Sequence, residues 1–232
     1  MKRVVIVAGG TGTIGGAVCA ALAQRGKGVV AVCRHQPAPC DQVCGVDYYA
    51  RDIMENHAAE TLLAYIRCKN YEVEGLVMSL SSETSCEAPK GLVHLGAEID
   101  LVETVVPKMI NGSVVMLSST AARLPFALGT SRFYAGAKGY VESYVKAASA
   151  EFAPGVRINA VAPGVVDCPC RTSEVHARFD CDRVPLKRTV KATEVADAIV
   201  FLLGEVGITG VTLPVDGGLT ASIPAVDNRN VS

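Results

Sequence analysis

VAGGTGTIGG, residues 7–16, is the stretch that decides the fold of this chain. Its first two residues end the short apolar run VVIVA (4–8), and apolar residues at the spacing of an amphipathic helix begin at its C-terminal end. The order is therefore strand, glycine-rich turn, helix. Gly9, Gly12 and Gly15 recur at intervals of three, and glycines there let the backbone turn sharply and approach a pyrophosphate. A glycine triplet alone is a weak signal, but between a strand and a helix it predicts a dinucleotide-binding turn.

Apolar runs and helical patterns alternate along the rest of the 232-residue chain. Continuous apolar strands joined by helices predict a parallel sheet that is covered by helices on both faces. We therefore expect a single α/β domain with a doubly wound sheet. The predicted strands after the first are VVAVC (29–33), a weak one at 46–49, GLVMSL (75–80), SVVMLSS (113–119), VRINAVAPG (156–164) and GVTLPV (210–215).

The composition narrows the class of partner. Lys and Arg number 22 against 23 Asp and Glu, a net charge of -1 that gives no field for nucleic acid or an anionic membrane. No apolar run reaches the roughly 18 residues of a membrane span, so we expect a cytoplasmic chain with a small-molecule substrate. The nine cysteines are odd in number, scattered and without paired Cys-x-x-Cys spacing, so we expect free thiols and no metal site.

The end of the second predicted strand, CRHQ at residues 33–36, bears on the choice of cofactor. A carboxylate there would accept a hydrogen bond from the ribose 2′-hydroxyl of NAD, whereas a guanidinium binds the 2′-phosphate of NADP. The chain has Arg34 at this point and no acidic residue beside it. We therefore expect NADP rather than NAD; the alternative is a solvated loop arginine.

YAGAKGY, residues 134–140, places two glycines inside a segment with a helical pattern. Each interior glycine costs roughly 1 kcal/mol relative to alanine. Either they are merely tolerated, or they leave a bare surface for a cofactor and a partner helix. Tyr134 and Lys138 lie four residues apart, on one face of this helix. That pair is either a tyrosine packed on a lysine stem or a phenol and an ammonium directed at one site.

Several segments follow one another in a specific order and spacing: VAGGTGTIGG, RDI, VVMLSS, YAGAK, RINAVAPG, TEVADAIVFLL and ITGVTLPVDGG. Together they resemble the compact members of the short-chain dehydrogenase/reductase superfamily, close in style to the 3-oxoacyl-[acyl-carrier-protein] reductases. The resemblance covers nearly the whole chain. It implies a Rossmann-type three-layer sandwich with a mainly seven-stranded parallel sheet. It also implies assembly through the helix of Tyr134 into homodimers or homotetramers.

The same resemblance implies a catalytic set of Ser119, Tyr134 and Lys138 at the nicotinamide of NADPH. Tyr134 would protonate the alkoxide when a carbonyl is reduced, with the Lys138 ammonium favouring the ionised phenol. Ser119 would hold the substrate oxygen as a hydroxyl donor. The neighbouring Ser118 and Thr120 are alternatives, and Ser119 is chosen because the family uses the second serine after the strand. The expected function is therefore that of an NADP-dependent ketoreductase.

The expected cofactor-binding residues lie in the first turn, after three of the strands and on the Tyr134 helix. They are Gly9, Thr11, Gly12, Thr13, Ile14, Arg34, His35, Asp52, Ile53, Tyr134, Lys138, Pro163, Gly164 and Val166. The first turn departs from the compact pattern, since Ala8 replaces its threonine and Thr13 its middle glycine. The glycine spacing matches the extended branch instead, which includes epimerases.

Two other functions therefore stay open. A sugar-nucleotide epimerase or dehydratase would share the glycine spacing, although such enzymes generally need a longer C-terminal domain than the stretch after Gly164 provides. A non-catalytic NADP-binding regulator would fit the altered turn. In a regulator, however, the joint presence of the catalytic serine, tyrosine and lysine would be a coincidence.

Two expectations concern the C-terminal part and one histidine. Residues 165–190 are expected to form the substrate lid of a domain that spans 1–222, followed by a polar tail at 223–232. Arginines in this lid would meet an acyl-carrier or phosphorylated substrate, unless they form a solvated helix face. His94 stands where the family usually has an asparagine, near a proton path to the catalytic lysine. It is either a titrating group that disturbs this path or a neutral packing residue.

Overall fold

The strands of the computed structural model form one parallel sheet. The structure describes residues 1–80, 88–124, 132–167 and 181–222. Its strands are β1 (Lys2–Ala8), β2 (Gly28–Cys33), β3 (Val46–Ala50), β4 (Tyr71–Met78), β5 (Gly112–Leu117), β6 (Val156–Pro163) and β7 (Thr212–Val215). The helices are α1 (Thr13–Gln24), α2 (Ala58–Cys68), α3 (Ala88–Val105), α4 (Arg132–Phe152) and α5 (Ala192–Gly204).

The strand order confirms the predicted doubly wound topology. In the described residues the sheet has seven strands in the order β3-β2-β1-β4-β5-β6-β7. Neighbouring strands pair in parallel throughout. The chain moves outward from β1 to β3 and then returns to β4 on the other side of β1, so the order reverses between β1 and β4. Ligands of open parallel sheets bind at the carboxyl ends of the strands beside such a switch point.

Alternate residues of the central strand point to two different cores. Val4, Ile6 and Ala8 belong to the apolar cluster that α2, α3 and α4 cover on one face of the sheet. Val5 and Val7 belong to the cluster that α1 and α5 cover on the other face. Because the side chains of a strand alternate between faces, a strand that is apolar at every position is buried on both. The chain is thus one Rossmann-like domain of three layers, as predicted.

The two largest differences between predicted and observed boundaries concern α3 and β4. The helical pattern between the strands predicted at 75–80 and 113–119 predicts a helix over 92–109. α3 instead occupies Ala88–Val105 and is followed by a 3-10 turn, because Pro107 disfavours a helical conformation in the residue before it. β4 begins at Tyr71 rather than at 75. Its first residues carry Glu72 and Glu74, which form ion pairs with Arg3 of β1, so this part of the strand lacks an apolar run.

The described cysteines are free thiols, as predicted. Cys19 and Cys33 are buried, and burial raises the pKa of the Cys19 thiol to about 12, so it packs as a small apolar residue. Across the described ranges no group of three or more His, Cys, Asp or Glu side chains is placed to hold a metal ion. None of the described helices is long and apolar enough to cross a membrane. The tail at 223–232 lies outside the described residues, as do 168–180 of the expected lid.

Candidate functional site

The first turn packs its backbone against the ends of two strands. The N–H groups of Gly9 and Gly10 both donate to the carbonyl of Val32, at 2.9 and 3.1 Å. Gly9 is left-handed, with φ of 81°, and a Cβ there would lie 2.3 Å from the carbonyl oxygen of Ser79. A Cβ on Gly15 would lie 2.1 Å from the carbonyl oxygen of Gly9. Only glycine fits at these two positions, because the contacts are with backbone atoms.

The start of α1 leaves amide groups directed at this turn. The N-cap is Gly12, which has no side chain to accept a hydrogen bond from the first helical turn. The unpaired N–H groups of a helix N-terminus attract an anion, and the helix dipole adds to that attraction. The predicted residues Thr11, Thr13 and Ile14 lie at this N-terminus. The cradle closed by Gly9 and Gly15 therefore fits the pyrophosphate of a dinucleotide.

Two loops beside the turn carry four more of the predicted residues. Arg34 and His35 follow β2 and are exposed, and Arg34 has no hydrogen bond or ion pair with any residue that the structure describes. Asp52 and Ile53 follow β3. The amide of Arg51 donates to the Cys33 carbonyl at 2.7 Å, which fixes the β3 loop beside the end of β2. The carboxylate of Asp52 accepts from the amide of Met54 at 3.0 Å, and Ile53 packs on the core.

The last group of predicted cofactor residues lies at the end of β6. Pro163 is the final residue of that strand, and the amide of Gly164 donates to the Val215 carbonyl at 2.9 Å. Val166 forms a parallel bridge with Val190. A Cβ on Gly164 would lie 2.9 Å from the Cα of Asp216. The chain leaving β6 is thus held against the segment after β7, at the same edge of the sheet as the first turn.

The structure separates the three candidate hydroxyl groups after β5. Ser118 is 2% exposed, and its single hydroxyl proton is shared between the Lys138 carbonyl, at 3.2 Å, and the Glu142 carboxylate, at 3.1 Å. Thr120 is fully buried. Ser119 is half-buried and caps a 3-10 turn, with its hydroxyl oxygen accepting from the Ala121 amide at 3.2 Å. Of the three, Ser119 is the hydroxyl that a substrate can reach.

Tyr134 and Lys138 come together on α4 as their spacing predicts. Lys138 is 4% exposed and its ammonium donates to the carbonyls of Leu117, at 2.9 Å, and Leu80, at 3.4 Å. These carbonyls lie just at or beyond the ends of β5 and β4. The Lys138 Nζ lies 6.0 Å from the centre of the Tyr134 ring, which is half-buried. An ammonium has three protons, so two carbonyls leave one for a ligand or for the phenol.

Sequence reasoning missed Glu98, a buried acid on α3. Glu98 is 4% exposed, and burial raises the pKa of its carboxyl although the positive charge of Lys138 opposes this. The available signal was its position, three residues after Leu95 and four before Val102, on the apolar face of the helix. His94, which was considered for the proton path, lies one turn earlier and is half-buried.

Two basic residues in the described part of the expected lid, Arg188 and Lys187, already bind other residues of the chain. The Arg188 guanidinium forms two hydrogen bonds with the Glu194 carboxylate, at 2.7 and 2.8 Å. This partner holds the pKa of Glu194 at about 2. Lys187 donates to the main-chain carbonyl of Asp182. Arg188 and Lys187 are thus structural in this conformation, and Arg183 is exposed. The other two lid arginines, at 171 and 178, lie outside the described residues.

Comparison with known proteins shows the family of this chain. A solved structure of a protein described as a short chain dehydrogenase/reductase family protein superposes with a TM-score of 0.80 at 27% identity, covering 95% of this chain and 98% of that one. A family model described as Enoyl-(Acyl carrier protein) reductase matches residues 9–220. The chain belongs to the short-chain dehydrogenase/reductase superfamily. Its matched relatives include proteins described as oxidoreductases and reductases, and the chain is an NAD(P)H-dependent enzyme of this superfamily that acts on small molecules.

Two further proteins resemble this chain, one in sequence and one in fold. L-xylulose reductase of Mus musculus is 32% identical over 241 residues, covering 95% of this chain and 97% of that protein. The aldohexose dehydrogenase of Thermoplasma acidophilum, solved in a ligand-free form, superposes with a TM-score of 0.81 at 23% identity, covering 97% of this chain and 96% of that one. At that identity the second likeness concerns the fold alone.

Proposed function

We propose that this dehydrogenase/reductase is an NADPH-dependent carbonyl reductase that transfers a hydride between NADPH and a ketone or secondary alcohol. The observation that carries the proposal is the placement of Lys138. Its ammonium is buried and anchored by two carbonyls at the strand ends, on the same helix face as Tyr134. A lysine that only packed its stem on a tyrosine would direct its ammonium to solvent instead.

Each residue of the proposed set has a distinct task. NADPH would supply the hydride when it is bound at the first turn. Ser119 would donate a hydrogen bond to the carbonyl oxygen, and Tyr134 would give that oxygen a proton as it becomes an alkoxide. The Lys138 ammonium would stabilise the phenolate that the proton leaves behind. Because Leu117 and Leu80 hold the ammonium, this charge is fixed before the reaction begins.

The preference for NADPH rests on Arg34. Its guanidinium is exposed at the end of β2 and unpaired among the described residues, beside the loop that carries Asp52. The Asp52 carboxylate is already bound to the amide of Met54. A 2′-phosphate at this place would gain a charge-assisted pair with Arg34.

The proposed assembly is a homodimer or homotetramer formed through α4. Apart from its chain neighbours and the nearby backbone of α4 itself, a Cβ added to Gly136 or Gly139 would lie within 4 Å of no described atom, so this helix surface is open. Tyr140 is 48% exposed and stacks on Tyr144, with ring centres 6.3 Å apart. Small residues beside an exposed aromatic pair suit a close helix contact. Residues 165–190 are proposed as the substrate lid of the domain 1–222.

The test is turnover of a carbonyl panel with NADPH and with NADH. The panel should include simple ketones, keto sugars such as those in the name of the mouse relative, and 3-oxoacyl thioesters. Oxidation of NADPH with one alcohol formed per cofactor supports the proposal and identifies the substrate class. A retained cofactor with no net redox change would instead indicate an epimerase. Cofactor binding without turnover of any compound would indicate a regulator.

A further inference from the structure

Glu98 is a buried acid beside the proposed catalytic pair. It is 4% exposed, and its Oε2 atom is shielded from solvent without a hydrogen-bond partner among the described residues. A buried carboxylate without a partner costs free energy, so native proteins rarely keep one unless something compensates it. The compensating charge that acts on Glu98 is that of Lys138.

The Glu98 carboxyl and the Lys138 ammonium both lie in the layer between α3 and α4. Leu101 and Val102 of α3 pack with Val141 and Val145 of α4 in one apolar core, and Lys138 is buried one turn before Val141. The Lys138 ammonium donates to main-chain carbonyls, and within the described ranges it forms no ion pair with Glu98 at 4.0 Å or less. The two charges therefore interact through the protein interior without direct contact. In that interior the field of a charge is screened far less than at the surface.

We propose that Glu98 is a positioning residue that acts through Lys138: its carboxylate is the counter-charge that limits how strongly the ammonium stabilises the Tyr134 phenolate. The inference rests on the proposed function, in which Lys138 and Tyr134 act together. A negative charge beside the ammonium reduces the net positive field at the phenol. Removing that charge therefore makes the phenolate more stable and the phenol a stronger acid.

Other ionisable groups around Glu98 remain unchanged in the test. The charged group of α3 and α4 that acts on the Glu98 carboxyl is Lys138. Glu103 of α3 is bound to the Tyr144 hydroxyl of α4. Glu142 accepts hydrogen bonds from Ser118 and Arg123, which hold its carboxylate near the end of β5. On the other side of α3, α2 contributes the apolar residues Leu62, Leu63 and Ile66 to the core. A shift caused by Glu98→Gln thus reports the loss of one charge.

The experiment measures the titration of Tyr134 directly. Ultraviolet phenolate absorbance is followed against pH in the whole chain and in Tyr134→Phe, and the difference is the signal of Tyr134. The same subtraction is made in the Glu98→Gln background. Burial raises the pKa of Tyr65, Tyr71 and Tyr144, and hydrogen bonds to carboxylates raise it further, so these phenols ionise late. The other tyrosines cancel in the difference.

The expected result is a lower titration midpoint of Tyr134 in Glu98→Gln. The shift should be roughly 0.5–1 pH unit, the scale of one charge acting across about 10–15 Å at an effective dielectric constant of about 20–30. Asp100→Asn is the matched control, because it makes the same chemical change at an exposed position of α3 and should leave the midpoint in place. Glu98→Asp keeps the charge and should return the midpoint toward that of the unmodified chain.

An unchanged midpoint in Glu98→Gln would overturn the inference, since it would mean that the carboxyl is neutral or that its field does not reach the phenol. A rise would overturn it too. The proposed function is judged separately, from turnover of the carbonyl panel by the unmodified enzyme. A chain that lacks turnover but shows the shift would lose the proposed function and keep the electrostatic coupling of Glu98. Melting curves of each variant confirm that the fold is intact.

Discussion

The first turn and the start of α4 are both rich in glycine, but for different physical reasons. In the turn, a side chain on Gly9 or Gly15 would meet backbone oxygens at 2.3 and 2.1 Å. On α4, a Cβ on Gly136 or Gly139 would meet no described atom within 4 Å other than its chain neighbours and the nearby backbone of the helix itself. The turn needs its glycines to fold at all, whereas nothing in the described part of the chain requires those of α4. A glycine in a motif can therefore report either a constraint inside the chain or a surface left open.

The two regions also divide the proposed work differently. The turn presents main-chain amide groups to the cofactor, so substitutions there act through the backbone. α4 presents the side chains of Tyr134 and Lys138, so substitutions there should act on chemistry. This division predicts that substitutions in the turn weaken cofactor binding, whereas Tyr134→Phe lowers turnover and leaves cofactor binding nearly unchanged.

The largest expected effect is on turnover in Tyr134→Phe. The substitution removes the proposed proton donor and leaves the helix and the first turn unchanged. Turnover should fall by about 10² or more, the usual scale of general acid catalysis, with NADPH affinity nearly unchanged. Tyr140→Phe, at an exposed position of the same helix, is the control and should turn over normally. Activity of Tyr134→Phe within a few-fold of the parent enzyme would show that another group protonates the alkoxide.

A second prediction separates the glycines of the turn from one another. Gly15→Ala should lower the free energy of unfolding by roughly 1–3 kcal/mol and weaken NADPH binding, because the new methyl group overlaps the Gly9 carbonyl. Gly16→Ala is the matched control, since its Cβ would lie 3.7 Å from the Gly10 carbonyl oxygen, which is an ordinary contact. Chemical denaturation and cofactor titration measure both quantities. Equal stability of the two variants would contradict the backbone constraint.

A third prediction concerns the side chain that chooses the cofactor. Arg34→Ala should weaken NADPH about ten-fold or more and leave NADH nearly unaffected, since a charge-assisted pair is worth about 1.5–3 kcal/mol. Arg67→Ala, which removes an exposed arginine from α2, controls for the change in net charge. The measurement is the dissociation constant of each cofactor. If both cofactors lose affinity equally, Arg34 does not recognise the 2′-phosphate.

Much of the fold could be predicted because the strands are apolar at nearly every position. β1, β2 and β5 read as continuous apolar runs, and each was predicted within about two residues of its observed bounds. The start of β4 was missed because its glutamates satisfy ion pairs at the strand edge, which a hydrophobic pattern does not record.

The candidate site was less predictable from the sequence than the fold. Tyr134 and Lys138 share a helix face by spacing alone, but their burial and the carbonyls that hold Lys138 depend on packing across α4 and the strand ends. Selecting Ser119 over Ser118 required the family pattern, and the structure adds the reason: Ser118 is bound to Glu142. Glu98 was missed because an acid on an amphipathic helix is usually assigned to its solvent face. Its role depends on a neighbour 40 positions away in sequence, which spacing along one helix cannot show.

The smallest expected effect tests whether the open surface of α4 is covered by a second copy. Gly96 of α3 and Gly136 of α4 are both exposed, and a Cβ added to either would have no described atom within 4 Å other than its chain neighbours and the nearby backbone of its own helix. Because alanine is favoured over glycine inside a helix, Gly96→Ala should raise the free energy of unfolding by about 1 kcal/mol at any protein concentration. Gly136→Ala should show the same gain at low concentration, where copies are apart, and lose it as concentration rises, because the methyl group then separates the two helices. Denaturant unfolding and sedimentation velocity over a concentration series measure both effects. Identical gains for the two variants at every concentration, with association unchanged, would show that the contact between copies does not involve this part of α4.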